Sequence, residues 1–364
     1  MKEQIKYQDS SKWLFSRVKT KEKALFYEHM ANLMDWWVSI TDSLSSFVEK
    51  TSNKTLAQYI NNLSYFVNKW DNLSLSMKKI PALFKTQEIA LIEAWESTGN
   101  LVESLYSISD LIKEKDALRS EIKWALTYPT IIWVFLVLAI IIVMIFVVPK
   151  LMAMFNETWL ELPFSTRALI ATSVFFQNNI LFIIFFTVFW TFGIKSFAET
   201  DSGKLFFDKI YFNLPIVWDV YKNYSLAIIS NNMWILMKWW ISLMRVFDLT
   251  AASSPSFLYE KALLTVKEKV KLWEWIASSM EDVDPERNFF KRDFTQMISV
   301  WEKTSSLDKI TVKLSNYYSR EVRSSLSVLL KWIEPIAILI AWIFVVWFAL
   351  AIFSAVMQLS NVAV

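Results

Sequence analysis

The side chains best placed to do chemistry in this 364-residue chain are carboxylates. Glu96 in AWESTGNL and Glu302 in VWEKTSSL lie in two segments that read as copies of one another. A carboxylate can move a proton, hold a cation, or accept hydrogen bonds from the free N–H groups that begin a helix. Each is expected at a helix start, where negative charge complements the dipole and caps N–H groups. A contact to a protein partner, or a divalent-cation site completed by neighbouring carboxylates, are the alternatives. Asp71 and Glu274, which follow Trp70 and Trp273, admit the same readings. Glu334 precedes Pro335, and proline suits the first turn of a helix, so Glu334 is expected to be an N-terminal cap, with a functional pairing to a protein partner as the alternative. Little else is available. There is one histidine, His29, and no cysteine, which removes thiol nucleophiles, disulfides, cysteine-based zinc sites and most histidine catalysis. Gly203-Lys204 is followed by Leu205, and Trp301-Glu302-Lys303-Thr304 lacks an adjacent Gly-Lys, so no phosphate loop is present. The chain is read as a non-enzyme with no cofactor.

The elements that hold these carboxylates are duplicated. NLMDWWVSITDSL parallels ILMKWWISLMRVF, and VNKWDNLSLSM parallels VKLWEWIASSM, both pairs 203 positions apart. Glu96 and Glu302, Leu101 and Leu307, and Pro129 and Pro335 are 206 apart. Landmarks at nearly constant separation mark an internal repeat. Each copy reads as helical: Leu101, Leu105, Ile108 and Ile112 line one helical face, as do Leu307, Ile310, Leu314 and Tyr317. Thr51-Ser52-Asn53 and Ser253-Ser254-Pro255 break the helices into hairpins, which favours antiparallel bundles.

Between and after the copies lie apolar runs. The chain is 54% hydrophobic with mean hydropathy +0.32, high for a water-soluble protein. Thr130–Val148 is 19 residues without a charge, enough to cross about 30 Å of hydrocarbon. Ala168–Ile194 is also uncharged, though Gln177, Asn178 and Asn179 interrupt it, and no charge follows Glu334. Lys113, Lys115, Arg119 and Lys123 precede the first run; Lys313, Arg320, Arg323 and Lys331 precede the third; the first inter-span loop holds only Lys150 and Arg167. The bias of Lys and Arg towards the cytoplasm puts the N-terminus and residues 195–332 inside. It puts 149–167 and the tail outside. Lys123, Arg320, Arg323 and Lys331 are expected to meet lipid headgroups, with an acidic face of a protein partner as the alternative. The spans carry no ionisable group, which disfavours a transporter or channel, the alternative reading. The outer loop is too short for a receptor's sensor. The N-terminal MKEQIKYQDSSKW has no apolar core, so no cleaved signal is expected. A net charge of +3 gives no strong field for nucleic acid.

The expected architecture is therefore an all-α membrane protein. It has an N-terminal segment (1–20), a first cytoplasmic helical domain (21–128), a span (129–148), an outer loop (149–167) and a second span (168–194). A second helical domain (195–332), a third span (333–358) and an outer tail (359–364) follow.

There are 3 Gly and 19 Trp, where glycine is ordinarily about 7% of residues. Trp36-Trp37 and Trp239-Trp240 each end a helical stretch, where glycine is wanted for its positive φ. Trp95 and Trp301 are expected in short turns. Trp342 and Trp347 fall mid-span, away from the interface that tryptophan favours. The placement suits glycine, and most of these tryptophans are read as UGA codons that the source translates as glycine. The alternative is a protein truly rich in tryptophan.

With those tryptophans read as glycine, the chain resembles the family of type II secretion protein F and type IV pilus assembly protein PilC, inner-membrane platform proteins. ANLMDWWVSITDSL, KWDNLSLSM, AWESTGNL with Gly99, VWEKTSSLDKI, ALTYP with Tyr128 and Pro129, ELPFSTR, NLPIVWDV and WIEP carry the resemblance, which covers about Ala24 to Met357. Ser305, where the pattern has glycine, departs from it. The resemblance implies a scaffold that contacts a cytoplasmic assembly ATPase, passes pilins or pseudopilins into a filament alongside other inner-membrane assembly proteins, and works as a homo-oligomer.

Overall fold

The computed structural model describes residues 18–150, 163–198, 200–304 and 307–362. The outer loop, apart from its ends, and Ser305 lie outside the described residues. All regular structure among the described residues is helical. The first module comprises α1 (Thr20–Asp35), α2 (Ile40–Lys50), α3 (Lys54–Val67), α4 (Leu73–Lys78), α5 (Thr86–Thr98) and α6 (Leu101–Ala125). After it come α7 (Thr127–Ile142), continued by a π-helical turn at Val143–Val147, then α8 (Phe164–Ala198) and α9 (Asp201–Asn213). The second module repeats the first as α10 (Pro215–Lys238), α11 (Leu243–Ala252), α12 (Phe257–Lys271), α13 (Ile276–Val283), α14 (Arg292–Thr304) and α15 (Leu307–Val362).

Residues 1–120 and 218–323 form one compact unit, and residues 121–217 and 324–364 another. In the first unit the helices start where the sequence offers caps. Ser39 Oγ accepts the N–H of Asp42, opening α2. Asn53 accepts from Thr55 and Leu56 at α3, and its counterpart Ser256 accepts from Leu258 and Tyr259 at α12. Leu101, Leu105, Ile108 and Ile112 are all buried, with Leu44, Leu56, Ile60 and Leu63. On the matching face of α15 Leu314, Tyr318 and Val322 are buried; Tyr317, expected there, is only half-buried, because Tyr318 is the repeat counterpart of Ile112 and takes the inward position.

The two spacings, 203 and 206, have one cause. Met77 and Met280 are buried counterparts 203 apart, Phe84 and Phe290 buried counterparts 206 apart. Three extra residues therefore lie between Met280 and Phe290, two of them lengthening α13 and one the loop that follows it. Asp284 organises that longer loop, its carboxylate accepting the N–H groups of Asn288 (2.8 Å), Phe289 (2.6 Å) and Phe290 (2.7 Å).

The second unit contains the apolar helices. Two helical stretches among the described residues, Leu101–Lys150 and Val312–Met357, are long and apolar enough to cross a membrane. The polar trio in the second apolar run marks a kink: α8 bends at Asn179 (φ −117°, ψ 15°), whose side-chain amide donates to the Phe175 carbonyl at 3.0 Å. Hydroxyls tie this unit together. Thr166 donates to the Ala351 carbonyl (2.6 Å) and Ser173 to the Met144 carbonyl (2.5 Å) around Met144, Val148, Leu169 and Ala351. Pro335 does not open a helix; it lies inside α15.

Five described residues other than glycine have positive φ, and four are tryptophans: Trp37 (61°), Trp70 (67°), Trp240 (55°) and Trp273 (67°). They form two pairs of repeat counterparts. At the end of α1, Trp37 donates to the Met34 carbonyl and Val38 to the Leu33 carbonyl. At the end of α10, Trp240 donates to Met237 and Ile241 to Leu236. This is the Schellman closure, whose C′ residue is normally glycine. The left-handed member of each Trp-Trp pair is the second; Trp36 has φ −90°. All four left-handed tryptophans are 92–98% exposed, so no packing compensates the strain. Trp95 and Trp301 depart from expectation. They lie inside α5 and α14, not in turns, because α5 continues to Thr98 and Gly99 (φ 85°) makes the turn. Replacing Trp37, Trp70, Trp240 or Trp273 by glycine is expected to raise stability by about 1 kcal/mol each. Alanine, which shares the left-handed penalty, gives no such gain; thermal unfolding of the purified variants in detergent measures both.

Candidate functional site

Neither repeated glutamate sits at a helix start. Glu96 is in the last turn of α5 and Glu302 in the last turn of α14. Each reaches back to cap a different helix. Ser74 donates to Glu96 through its N–H (3.0 Å) and its hydroxyl (2.5 Å), at the first turn of α4. At the first turn of α13, the N–H groups of Ile276 and Ala277 donate to Glu302, the second at 3.0 Å. Ser74 and Ala277 are repeat counterparts, so one junction occurs twice. The capping chemistry is as the sequence suggests, but it acts across space. Neither Asn72 nor Trp275, the residues flanking α4 and α13, supplies a side-chain cap, so the orphan N–H groups take a carboxylate from the next helix.

Asp71 pairs with Lys79 at 2.6 Å and Glu274 with Lys269 at 3.3 Å. Among the described residues no three His, Asp or Glu side chains come together as metal ligands.

Glu334 is not an N-terminal cap. It lies within α15, where the N–H groups ahead of it are already bonded, and instead accepts the Tyr128 hydroxyl at 3.0 Å. Tyr128 and Glu334 are repeat counterparts, each preceding its proline. The two apolar helices are therefore linked at equivalent positions. Pro129 is buried in the first turn of α7.

A buried polar cluster escapes a sequence reading. Lys23 on α1 meets Glu88 on α5 at 2.6 Å, Tyr27 donates to Glu88 at 2.8 Å, and Lys23 also donates to the Leu83 carbonyl. All three side chains are buried. Burial lowers the Lys23 pKa, opposed by the Glu88 charge, and raises that of Tyr27 well above its ordinary value. Lys115 is pushed down to about 8 by burial and by nearby Lys85, against the pull of Glu88. The second module has Leu226, Ser230 and Phe294 at the three cluster positions. The cluster thus belongs to the first module alone. Its only signal in the sequence is a lysine and a glutamate on the apolar faces of two helices.

Among the described residues the arrangement is a framework of paired helical junctions built on carboxylate caps and ion pairs. The model of the family described as type II secretion system (T2SS), protein F, matches the chain twice, over residues 26–149 and 229–355. The two matches begin 203 positions apart and end 206 apart, tracing the repeat seen in the helices.

The chain belongs to this family.

The chain is similar to a type IV pilus assembly protein PilC from Pseudomonas aeruginosa, 24% identical over 347 residues, covering 95% of this chain and 92% of that protein. A PilC from Thermus thermophilus is 22% identical over 319 residues, 88% and 78% of the two chains. A type II secretion system protein F from Aeromonas hydrophila is 21% identical over 349 residues, 96% and 89%. In this protein F family member, Glu302→Ala is expected to destabilise by about 2 kcal/mol, because two N–H groups at α13 lose their acceptor. Glu96→Ala should act similarly at α4. Glu93→Gln, which weakens two exposed pairs with Lys78 and Arg245, should change stability by about 1 kcal/mol or less; denaturant unfolding compares the three.

Proposed function

We propose that the chain is an inner-membrane platform of a type IV pilus or type II secretion machine. It has three spans and holds both helical modules in the cytoplasm. There it receives the assembly ATPase and passes its work to pilins or pseudopilins, together with other inner-membrane assembly proteins, and does no covalent chemistry itself. The observation that carries this reading is the double match to the protein F model, laid over a duplicated helical module with an apolar helix after each copy. The bias of Lys and Arg to the segments before those helices supports the orientation. The hydroxyl-tied packing of α7, α8 and α15 suits helices in lipid, where polar side chains bond across helices. Lys123 and Lys331, each just ahead of an apolar stretch, offer anionic headgroups a contact.

Topology and partner are tested together. The chain has no cysteine, so Lys54→Cys and Thr265→Cys, both at exposed positions, report on one module each. Both should react with a membrane-impermeant maleimide only after the inner membrane is opened, and the assembly ATPase should co-purify with the intact chain. Labelling of one of them from outside overturns the topology.

The same reading takes most tryptophans as recoded glycine. Its support is that the left-handed turns fall on Trp37, Trp70, Trp240 and Trp273, in counterpart pairs. The mass of the native protein decides it: each glycine in place of tryptophan lowers the mass by about 129 Da, from the residue formulae alone, and a mass matching 19 tryptophans ends the idea.

A further inference from the structure

The two modules of the compact unit pack head to tail, through different faces. The first module offers α5 and α6, the second α10 and α11. Gln87 donates to Asn232 (3.0 Å), Asn231 to Glu114 (2.7 Å), Arg245 pairs with Glu93 (2.7 Å) and Lys238 with Glu103 (3.0 Å). This contact buries one stripe on each side: Gln87, Ala90 and Leu91 on α5, and Ile228, Asn231, Asn232 and Ile235 on α10.

The repeat leaves the counterpart of each stripe uncovered. On α14 the positions matching the first stripe hold Asp293, Gln296 and Met297, which with Val300 and Lys313 line an open hollow of about 320 Å³. On α1 the positions matching the second hold Leu25, Glu28, His29 and Asn32, which with Phe47 line a hollow of about 410 Å³. Asp293, Gln296, Leu25 and Asn32 are exposed where their counterparts are buried.

We propose that copies of this chain join head to tail, the α1–α2 face of one seated on the α14–α15 face of the next, repeating the contact its own two modules make. The charges support a second copy as the occupant. Transferring the internal pairs through the repeat sets Glu28 opposite Arg320, His29 opposite Asp293 and Asp42 opposite Ser299. Glu28 is opposite in charge to Arg320, Asp293 accepts from the His29 ring and Asp42 from the Ser299 hydroxyl; the carboxylates of the first and third pairs lie on the α1–α2 side, the reverse of Glu114 and Glu93 in the internal contact. The reversal also fixes the order. The α1–α2 face cannot replace α10–α11 on the first module, because Glu28, Asp35 and Asp42 would then meet Glu114, Glu103 and Glu93. A contact between unlike faces propagates from copy to copy and closes into a ring where the rotation permits. This contact is independent of which machine the chain serves.

Two differently tagged copies are expressed together in membranes, one carrying His29→Cys and the other Asp293→Cys, and treated with a short cysteine crosslinker. The expected product joins the two tags. A 29–29 or 293–293 product in its place indicates a two-fold contact and overturns the proposal, as does the absence of any 29–293 product from folded protein. A second arm uses charge. Glu28→Arg and Arg320→Glu should each weaken self-association in detergent about tenfold, and the double variant should restore it. Glu28 also pairs with Lys113 at 3.0 Å, so Lys113→Ala serves as the control and should leave association unchanged. Unchanged association in both single variants overturns the proposal.

Discussion

Two positions in each module, 37 and 70 in the first and 240 and 273 in the second, hold left-handed backbone so that the helix hairpins can close. The closure lets α1 turn into α2 and α3 into the α4 segment while the last carbonyls of each helix keep their N–H partners. Everything downstream inherits that geometry. The short helices α4 and α13 arrive beside the ends of α5 and α14, where Glu96 and Glu302 meet their free N–H groups. The apolar stripes of the longer helices then face inward together. A side chain as large as tryptophan at such a turn adds strain and, being almost wholly exposed, recovers nothing from packing.

Duplication gave the chain two modules with one plan and different interiors. The first is fastened by the buried Lys23–Glu88–Tyr27 cluster. The second has apolar residues or serine there and places its own buried carboxylate, Asp284, under a longer loop. A buried ion pair is costly to break once formed, so each module is locked at a different point. The polar residues at the module boundary have diverged in the same spirit. Arg245 and Lys238 face Glu93 and Glu103, whereas their counterparts in the first module, Asp42 and Asp35, carry the opposite sign.

Much of this was legible in the sequence. The 3.6-residue spacing of Leu101, Leu105, Ile108 and Ile112 fixes a buried face, and those residues are buried. The Asn and Ser breaks appear as caps at Asn53 and Ser256. The polar trio before Ile180 appears as the bend at Asn179. These features depend on neighbours within a few residues, which a sequence lists in order. Glu96, Glu302 and Glu334 were recognisable as important but were assigned the wrong partners. Glu96 bonds 22 residues back and Glu334 bonds 206 residues back. No local pattern specifies such a pairing.

The sequence by itself determined the helical class, the repeat, the apolar segments and the poverty of catalytic side chains, because composition and periodicity act through local backbone geometry and water. Only the tertiary structure decided which carboxylate caps which helix, which residue of each Trp-Trp pair is left-handed, and which stripe of each module is covered. Those outcomes turn on the distance between side chains remote in sequence. The module contact shows it most plainly: Gln87 and Asn232 lie 145 residues apart and meet at 3.0 Å, and burial of one face there is what leaves its counterpart open.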